Sequence, residues 1–237
     1  MLPGDAVLAL PESGELRVGG GLLLSAEPSG RGGGGGGGDA LVASRAGVLR
    51  QAGGGRLWVD GGAAGGRRYV PAEGEPVLGV VRDRMGDGFS VDIGGPFPAL
   101  LPALAFEGAT RRNRPALVAG DLVYARVAQA SRDADPQLAC VDAAGRAAGY
   151  GPLKEGFLVA VGTGLARALL AAPPHPALAA LGASLQFEVA VGLNGRVWVH
   201  SPSPATTIFV ANALSRAEGQ SREEAAASVK AMLAAVC

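Results

Sequence analysis

The chain has 237 residues, with 21 Lys or Arg and 21 Asp or Glu, so its formal net charge is zero. A neutral chain has no overall field that would draw it to nucleic acid or to an acidic membrane. Any RNA contact must therefore come from local patches, and by itself it should be weak and salt-sensitive. The length suits one large domain or two to three small ones, and the mean hydropathy of +0.25 argues against global disorder.

The first predicted unit is a β-rich domain at residues 1–68. Its strands are indicated by the short apolar runs at residues 6–10, 21–24, 40–43 and 56–59. The glycine run from Gly32 to Gly38 lies in a Gly-rich loop at residues 30–39, which is predicted to be flexible. A phosphate-binding loop is excluded there, because no Gly-Lys-Ser/Thr follows the run and no helix is predicted to begin there.

The second predicted unit, at residues 69–145, is a small antiparallel barrel of the OB type. Its predicted strands lie at residues 77–81, 89–93, 122–127 and 138–141. Phe89 and Val91 fall on one face of a strand, which is expected to be the core face. Cys140 alternates with apolar neighbours and is predicted to be a small buried hydrophobe.

A cationic loop, defined here as residues 108–115, connects two strand-like segments of this barrel. It holds three guanidiniums within four residues, those of Arg111, Arg112 and Arg114. Forked guanidiniums suit phosphate binding, so on a neutral chain this loop indicates contact with RNA. The alternative is a solvated loop or one that contacts another subunit.

The third predicted unit, at residues 150–237, mixes helices and strands. The strands are predicted at residues 157–161, 185–191 and 196–200, and the helices at 165–171, 177–181 and 204–216, with one more after a capping box at 221–224. Ser203 is the predicted N-cap of the helix that Pro204 opens. The order strand, helix, helix, strand, strand, helix, with one further helix, is that of a type I KH module.

Several stretches closely resemble the S1/KH cap subunits of the eukaryotic RNA exosome. They lie at residues 67–71, 86–94, 104–115, 120–124 and 191–199. The similarity is greatest to the ribosomal-RNA-processing protein forty type, also called exosome component three. It extends from residue 2 to the final helix, with the glycine run as an insertion. It implies a mainly β fold: an N-terminal β domain, an S1 five-stranded barrel and an α+β KH domain.

The resemblance also implies a function. Such proteins are non-catalytic cap subunits on a ring of six RNase PH-like subunits, beside the other cap subunits. They guide RNA into a central channel for 3′-to-5′ processing and degradation, including that of ribosomal RNA, in the nucleus, nucleolus and cytoplasm. The alternatives are the sister S1/KH exosome cap subunit and a free-standing S1/KH RNA-binding protein.

The usual RNA-binding positions of both modules depart from the family patterns. Ser90 and Pro102 stand where S1 domains commonly place a Phe and a His for base stacking, so the barrel is expected to guide the RNA backbone rather than read bases. The position of the KH Gly-x-x-Gly clamp, residues 171–176, has no glycine. Lys154 and Arg196 are further candidate RNA contacts.

The Gly-Leu-Asn-Gly segment at residues 192–195 lies between two predicted strands and is predicted to be structural. Asn194 and Gly195 are expected to form a two-residue turn with positive φ. Gly192, Asn194 and Gly195 would then pack the KH module against the barrel, and Trp198 is expected to pack at a domain boundary.

An enzyme is not predicted, and neither is a metal or other cofactor. His175 and His200 lack a nearby nucleophile or carboxylate pair, and Asp133 with Asp135 indicates a polar turn. Cys140 and Cys237 form no disulfide framework, which fits a reducing compartment. No signal peptide or membrane-length apolar run is found, so a soluble, intracellular protein without a membrane partner is expected.

Overall fold

The computed structural model describes residues 1–9, 16–25, 40–44, 46–52, 56–60, 69–131 and 134–236. The chain divides into two compact units, Met1–Arg67 and Arg68–Cys237. The predicted Gly-rich loop at residues 30–39, together with Asp133 and Cys237, lies outside the described residues.

The first unit contains two three-stranded sheets. Its strands are β1 Ala6–Ala9, β2 Arg17–Val18, β3 Leu22–Ser25, β4 Ala40–Ala43, β5 Val48–Ala52 and β6 Arg56–Asp60. Strand β4 pairs antiparallel with β1 and β3, whereas β6 pairs antiparallel with β5 and parallel with β2. Leu41 and Val59 are fully buried in its small core. The sequence predicted four of these strands and missed β2 and β5, which have too little apolar alternation to be recognised.

A five-stranded barrel opens the second unit. Its strands are β7 Pro76–Met85, β8 Gly88–Asp92, β9 Ala99–Pro102, β10 Leu122–Gln129 and β11 Gln137–Ala139. They follow the order β11-β9-β8-β7-β10, and pairing of β10 with β11 closes the barrel. A sixth strand, β12 Gly151–Leu153, pairs with β10. The predicted OB-like barrel is confirmed.

Alternation of apolar and polar residues positions the barrel side chains. Phe89, Val91 and Val123 point into the core and are at most 2% exposed, as their spacing predicted. Cys140 is also buried, and this burial raises the pKa of its thiol to about 12. Strand β9 was not predicted because it follows a run of Gly and Pro and itself ends in Pro102.

The rest of the second unit is an α/β domain. Its elements are β13 Phe157–Ala160, α1 Thr163–Leu170, α2 Pro176–Ser184, β14 Glu188–Gly192, β15 Arg196–His200, α3 Pro204–Arg216 and α4 Arg222–Val236. The antiparallel sheet has the order β13-β15-β14. Leu181, Val197, Val210 and Leu214 are buried between this sheet and the helices. The predicted type I order of a KH domain is confirmed.

Local capping signals explain where the helices begin. Before α4, the Ser221 backbone N–H donates to Glu224 Oε2 at 2.8 Å, and the Glu224 N–H donates to Ser221 Oγ at 3.2 Å, which is the predicted capping box. Ser203 is at the N-cap of α3, but its side chain makes no capping hydrogen bond. Helix α2 is longer than predicted, because His175 caps its first turn and the helix continues through Gly182.

None of the helices in the described part of the chain is long and apolar enough to cross a bilayer.

Candidate nucleic-acid interface

The cationic loop (residues 108–115) lies between β9 and β10 and is folded onto itself. The Thr110 N–H donates to the Asn113 carbonyl at 3.0 Å, and the Asn113 N–H donates to Thr110 Oγ1 at the same distance. Arg114 Nη1 donates to Asp87 Oδ1 at 2.8 Å, in the turn between β7 and β8. The loop therefore has internal hydrogen bonds and a contact that ties it to the barrel.

Arg111 and Arg112 are exposed, and neither has an ion-pair partner among the described residues. Their guanidiniums are therefore available to an anion. Arg114 is different, because its side chain is 31% exposed and already contacts Asp87. The structure thus makes Arg114 an anchor of the loop as well as a candidate phosphate contact.

The hairpin of β7 and β8, which carries Asp87, holds one further arginine that was not predicted from sequence as an RNA contact. Strand β7 extends to Met85, beyond the predicted end at residue 81, and carries the exposed Arg84 three positions before Asp87. Because Asp87 holds Arg114, this placement brings a fourth guanidinium to the same end of the barrel as the cationic loop. The polar triplet of Arg82, Asp83 and Arg84 before the Gly86 turn is the signal that could have identified it.

Lys154 lies directly after β12 and is exposed. It borders a half-open cleft of about 590 Å³ that also includes Pro115, the residue after Arg114. The structure therefore brings Lys154 to a cleft that begins where the cationic loop ends.

Arg196 is not placed on this surface. Its Nη2 donates to Asp92 Oδ2 at 2.8 Å, and its Nη1 donates to the backbone carbonyls of Asp92 and Leu78. The side chain is only 19% exposed. The guanidinium thus joins β15 to barrel strands β7 and β8, and this geometry argues against the predicted RNA contact of Arg196.

Asp92 is the acidic partner in this contact. Burial alone would raise the pKa of its carboxyl, but hydrogen bonds from Arg196 and the Gly94 N–H, with the charges of Arg196 and Arg82, outweigh it and lower the pKa. Asp92 is therefore ionised at neutral pH and stabilises the junction between barrel and KH domain.

The hairpin turn between β14 and β15 inserts Asn194 into the same junction. Asn194 is 8% exposed, and its Oδ1 accepts the Leu78 N–H at 3.1 Å. Its Nδ2 donates to the carbonyls of Leu78 at 2.7 Å and Ile93 at 2.9 Å. The Leu193 N–H adds a hydrogen bond to the Pro76 carbonyl at 2.8 Å. One buried amide thus satisfies three backbone groups of the barrel.

The form of this turn differs from the prediction. Gly192 pairs with Arg196, so residues 193–195 form a three-residue loop in which only Gly195 has positive φ, at 75°. The prediction of a two-residue turn with positive φ at Asn194 was therefore wrong. The observed loop is a tight turn that ends in a left-handed glycine. It leaves the Asn194 amide free to point into the barrel strands.

Close packing requires glycine on both sides of Asn194. A Cβ at Gly192 would lie 2.3 Å from Asn194 Oδ1 and 2.7 Å from the Leu78 nitrogen. A Cβ at Gly195 would lie 2.5 Å from the Val161 carbonyl oxygen. Both glycines therefore allow two backbones to approach closely.

Trp198 lies on β15, two residues after Arg196, and is only 5% exposed. Its Nε1 donates to the Glu155 carbonyl at 2.9 Å, and its ring stacks on His200 with centroids 5.8 Å apart. Gly156 lies against the indole, where a Cβ would be 2.5 Å from Nε1. Trp198 therefore holds the segment between β12 and β13 and does not present a face to a base.

The usual RNA-binding positions of both modules have structural roles or lack suitable groups. Ser90 is 9% exposed and pairs with Leu100 on β9, so no aromatic face is offered at its position. In the loop between α1 and α2, Arg222 Nη2 donates to the carbonyls of Pro173 at 3.0 Å and Pro174 at 3.3 Å. The next residue, His175, is buried, and burial together with Arg222 lowers its pKa. This loop is therefore tied to α4.

No group of three or more His, Cys, Asp or Glu that could hold a metal ion occurs among the residues that the structure describes.

Comparison with known proteins identifies relatives over most of the chain. A model described as exosome complex component RRP40, S1 domain, matches residues 69–151, and a KH domain model matches residues 156–205. The chain is 40% identical over 228 residues to exosome complex component rrp40 of Schizosaccharomyces pombe, covering 94% of this chain and 89% of that protein. It is 46% identical over 178 residues to RRP40 of Drosophila melanogaster, covering 75% of each.

Two more distant similarities agree with these. Exosome complex component Rrp4 of Ignisphaera aggregans is 27% identical over 158 residues, which is 65% of this chain and 60% of that protein. A solved structure described provisionally as an exosome complex RNA-binding protein superposes with a TM-score of 0.57 at 17% identity. It covers 72% of this chain and 99% of the other, and it supports the fold alone.

Replacing Gly192 with Ala should lower the free energy of unfolding by about 1–3 kcal/mol, because the new Cβ collides with the Asn194 amide and the Leu78 backbone. Gly182→Ala is the matched control. Its Cβ would meet no atom within 4 Å and the position is helical, so stability should rise by about 0.5–1 kcal/mol. Urea unfolding followed by circular dichroism measures both. Equal effects of the two changes would show that Gly192 does not support the junction.

The lowered pKa of Asp92 predicts an acid-sensitive junction. A carboxyl whose folded pKa is depressed stabilises the protein above its unfolded pKa of about 3.9, and this stabilisation is lost as the pH falls through the folded value. Asp92→Asn should therefore be less stable than the parent at pH 7, and the difference should shrink as the pH falls below the unfolded value. Urea midpoints across this range measure it. The exposed Asp135→Asn is the control, and a pH-independent deficit in Asp92→Asn would contradict the assignment.

Proposed function

This chain belongs to the family of exosome complex component RRP40, and we propose that it is a non-catalytic, RNA-binding cap subunit of the exosome. It supports the ring and guides single-stranded RNA into the central channel for 3′-to-5′ processing and degradation. The residues proposed to contact RNA are Arg111, Arg112 and Arg114, with Lys154 nearby and Arg84 added from the structure.

The observation that carries this proposal is the anchored cationic loop. Arg111 and Arg112 extend from a loop that Arg114 ties to Asp87, and neither has an ion-pair partner in the described part of the chain. Guanidiniums held in this way bind phosphate oxygens without selecting bases. The loop between α1 and α2 is tied to α4, and no aromatic residue stands at the position of Ser90. Both observations support the same proposal, because they leave the RNA backbone as the main feature that this chain can bind.

The proposed protein partners are the RNase PH-like ring subunits and the other cap subunits. A neutral chain with a few exposed arginines should bind RNA weakly by itself. This surface is therefore expected to act together with the RNA contacts of other subunits along a shared channel. We also propose the nucleus, nucleolus and cytoplasm as its compartments, which fluorescence microscopy of the tagged chain would check.

Two alternatives have less support. The sister cap subunit is disfavoured because the RRP40 relatives are 40% and 46% identical, whereas the Rrp4 relative is 27% identical. A free-standing RNA-binding protein would need more of its own binding surface than one loop and one lysine. Submicromolar binding by the isolated chain in a filter-binding titration would favour that second alternative.

Replacing Arg111, Arg112 and Arg114 together with Ala should weaken RNA binding by the assembled exosome by about tenfold. Because up to three phosphate contacts are lost, the slope of log affinity against log salt should become shallower by about 2. Fluorescence anisotropy with a labelled single-stranded RNA, at several salt concentrations, measures both quantities. Arg216→Ala, on α3 and far along the chain from the loop, is the control for general loss of charge.

An unchanged affinity and salt slope in the triple variant would contradict the proposed RNA surface. The non-catalytic part of the proposal has its own test, in which the purified chain is incubated with RNA with and without magnesium. We expect no shortening of the RNA on a denaturing gel. Degradation that follows the chain through purification would overturn this part.

A further inference from the structure

The loop between α1 and α2, defined here as residues 171–175, is exposed except at its last residue. Residues 171–174 are exposed, whereas His175 is only 3% exposed. A buried ring of this kind must have its polar atoms paired, because a buried polar group without a partner destabilises the fold. The way in which His175 is paired therefore decides how this loop is held.

His175 is the N-cap of α2. Its Nδ1 accepts the Ala177 N–H at 3.3 Å, and its carbonyl accepts the Ala179 N–H at 3.1 Å. Nδ1 can accept a hydrogen bond only in the neutral imidazole that carries its proton on Nε2. Protonation would turn Nδ1 into a donor that faces another donor. The cap therefore requires an uncharged His175.

A permanent positive charge also lies beside this ring. Arg222 Nη2 donates to the carbonyls of Pro173 at 3.0 Å and Pro174 at 3.3 Å, the two residues before His175. Burial lowers the pKa of His175, and the charge of Arg222 lowers it further. Both effects oppose the protonated form while the loop is in place.

The carboxylates of the neighbouring elements do not offset this. Glu218, in the turn before α4, accepts the Gly162 N–H at 2.8 Å. Helix α2 has no charged side chain, and α1 has one, Arg167, which lies 3.5 Å from Glu75 Oε1. The other charged side chains of α4 do not contribute to the shift, and these are Glu223, Glu224 and Lys230.

The capped turn is also where α2 meets α4. Ala177, whose N–H is capped, is fully buried, and it belongs with Leu181 to the same core as Ala225 and Val229 of α4. Loss of the cap would leave the buried Ala177 N–H without its partner, which favours opening of this turn. The state of His175 is therefore coupled to the docking of the loop and of the first turn of α2.

We propose that His175 is a pH-dependent switch, which caps α2 and holds the loop against α4 when it is neutral and releases the loop and the first turn of α2 when it is protonated. This inference goes beyond the proposed function and does not depend on it. The open form takes up the proton more readily than the closed form. Opening is therefore favoured as the pH falls from about 6.5, the value of an exposed histidine, to the lower value of the closed form.

The test is an NMR titration of the whole chain between pH 7.5 and 4.5. The imidazole signals of His175 report its protonation, and hydrogen exchange of the Ala177 amide, expressed as a protection factor, reports the opening. His175→Asn supplies a good N-cap oxygen that takes up no proton in this range. Arg222→Gln removes the neighbouring charge. His200→Asn, which removes the only other histidine of the chain, is the control.

We expect the protection factor of Ala177 to fall by up to about tenfold per pH unit below pH 6.5 and to level off once the closed form also titrates. In His175→Asn it should stay constant across the range. In Arg222→Gln the midpoint of His175 should rise but remain below 6.5, because the ring is still buried. His200→Asn should behave as the parent does.

Two outcomes would overturn the switch. In one, His175 titrates while the protection of Ala177 stays constant, so that protonation does not open the turn. In the other, His175→Asn loses protection with pH as the parent does, so that acid acts through another group. The first comparison is made within the parent chain, so it decides the question even if a variant folds poorly. Neither outcome touches the proposed function, which the arginine variants test.

Discussion

The buried amide of Asn194 is the contact on which the second unit depends. It reaches from the KH hairpin into the barrel and satisfies the Leu78 N–H and the carbonyls of Leu78 and Ile93. A buried backbone group left without a partner costs about 1–3 kcal/mol. Loss of this one side chain would leave the Leu78 N–H and the Ile93 carbonyl unpaired, whereas the Leu78 carbonyl would keep its hydrogen bond from Arg196 Nη1. Gly192 and Gly195 permit its approach, and the Arg196–Asp92 ion pair lies beside it. Barrel and KH domain are therefore joined by specific polar contacts.

The residues used in that junction limit where the molecule can contact RNA. From sequence alone, Arg196 and Trp198 could both contact RNA. In the structure, Arg196 joins the two domains, and Trp198 binds the segment between β12 and β13. Arg222 ties the loop where a KH clamp would lie. The exposed cations of the loop and of Lys154 have no such structural task, and they lie on segments whose positions the barrel sets. Binding of the RNA backbone by a few fixed cations suits a subunit that guides a strand past other proteins, because such contacts are weak and independent of sequence.

Local patterns predicted much of the fold. The alternation at Phe89 and Val91 and the capping box at Ser221 and Glu224 depend on neighbours a few residues away, and both were predicted from sequence. Failures came where a local rule was overridden. Strand β9 forms in spite of Pro102 and of the Gly and Pro residues before it, because it pairs with β8 and β11. Asn194 does not take positive φ, because the turn has three residues and its amide is bound by the barrel. Arg84 was missed because the length of β7 is set by pairing with β8.

By itself, the sequence determined the kind and order of most of the elements, the three arginines of the loop and the absence of the usual glycine clamp. These features are encoded within windows of a few residues, where periodicity, capping and charge are directly visible. Only the tertiary structure decided which polar side chains are free to bind a ligand and which already have partners within the protein. Asn194 and Leu78 are 116 positions apart and Arg196 and Asp92 are 104 apart, so no local pattern could pair them. The physical reason is that a hydrogen-bonding group is assigned to structure or to a ligand by whichever partner the folded chain brings within about 3 Å.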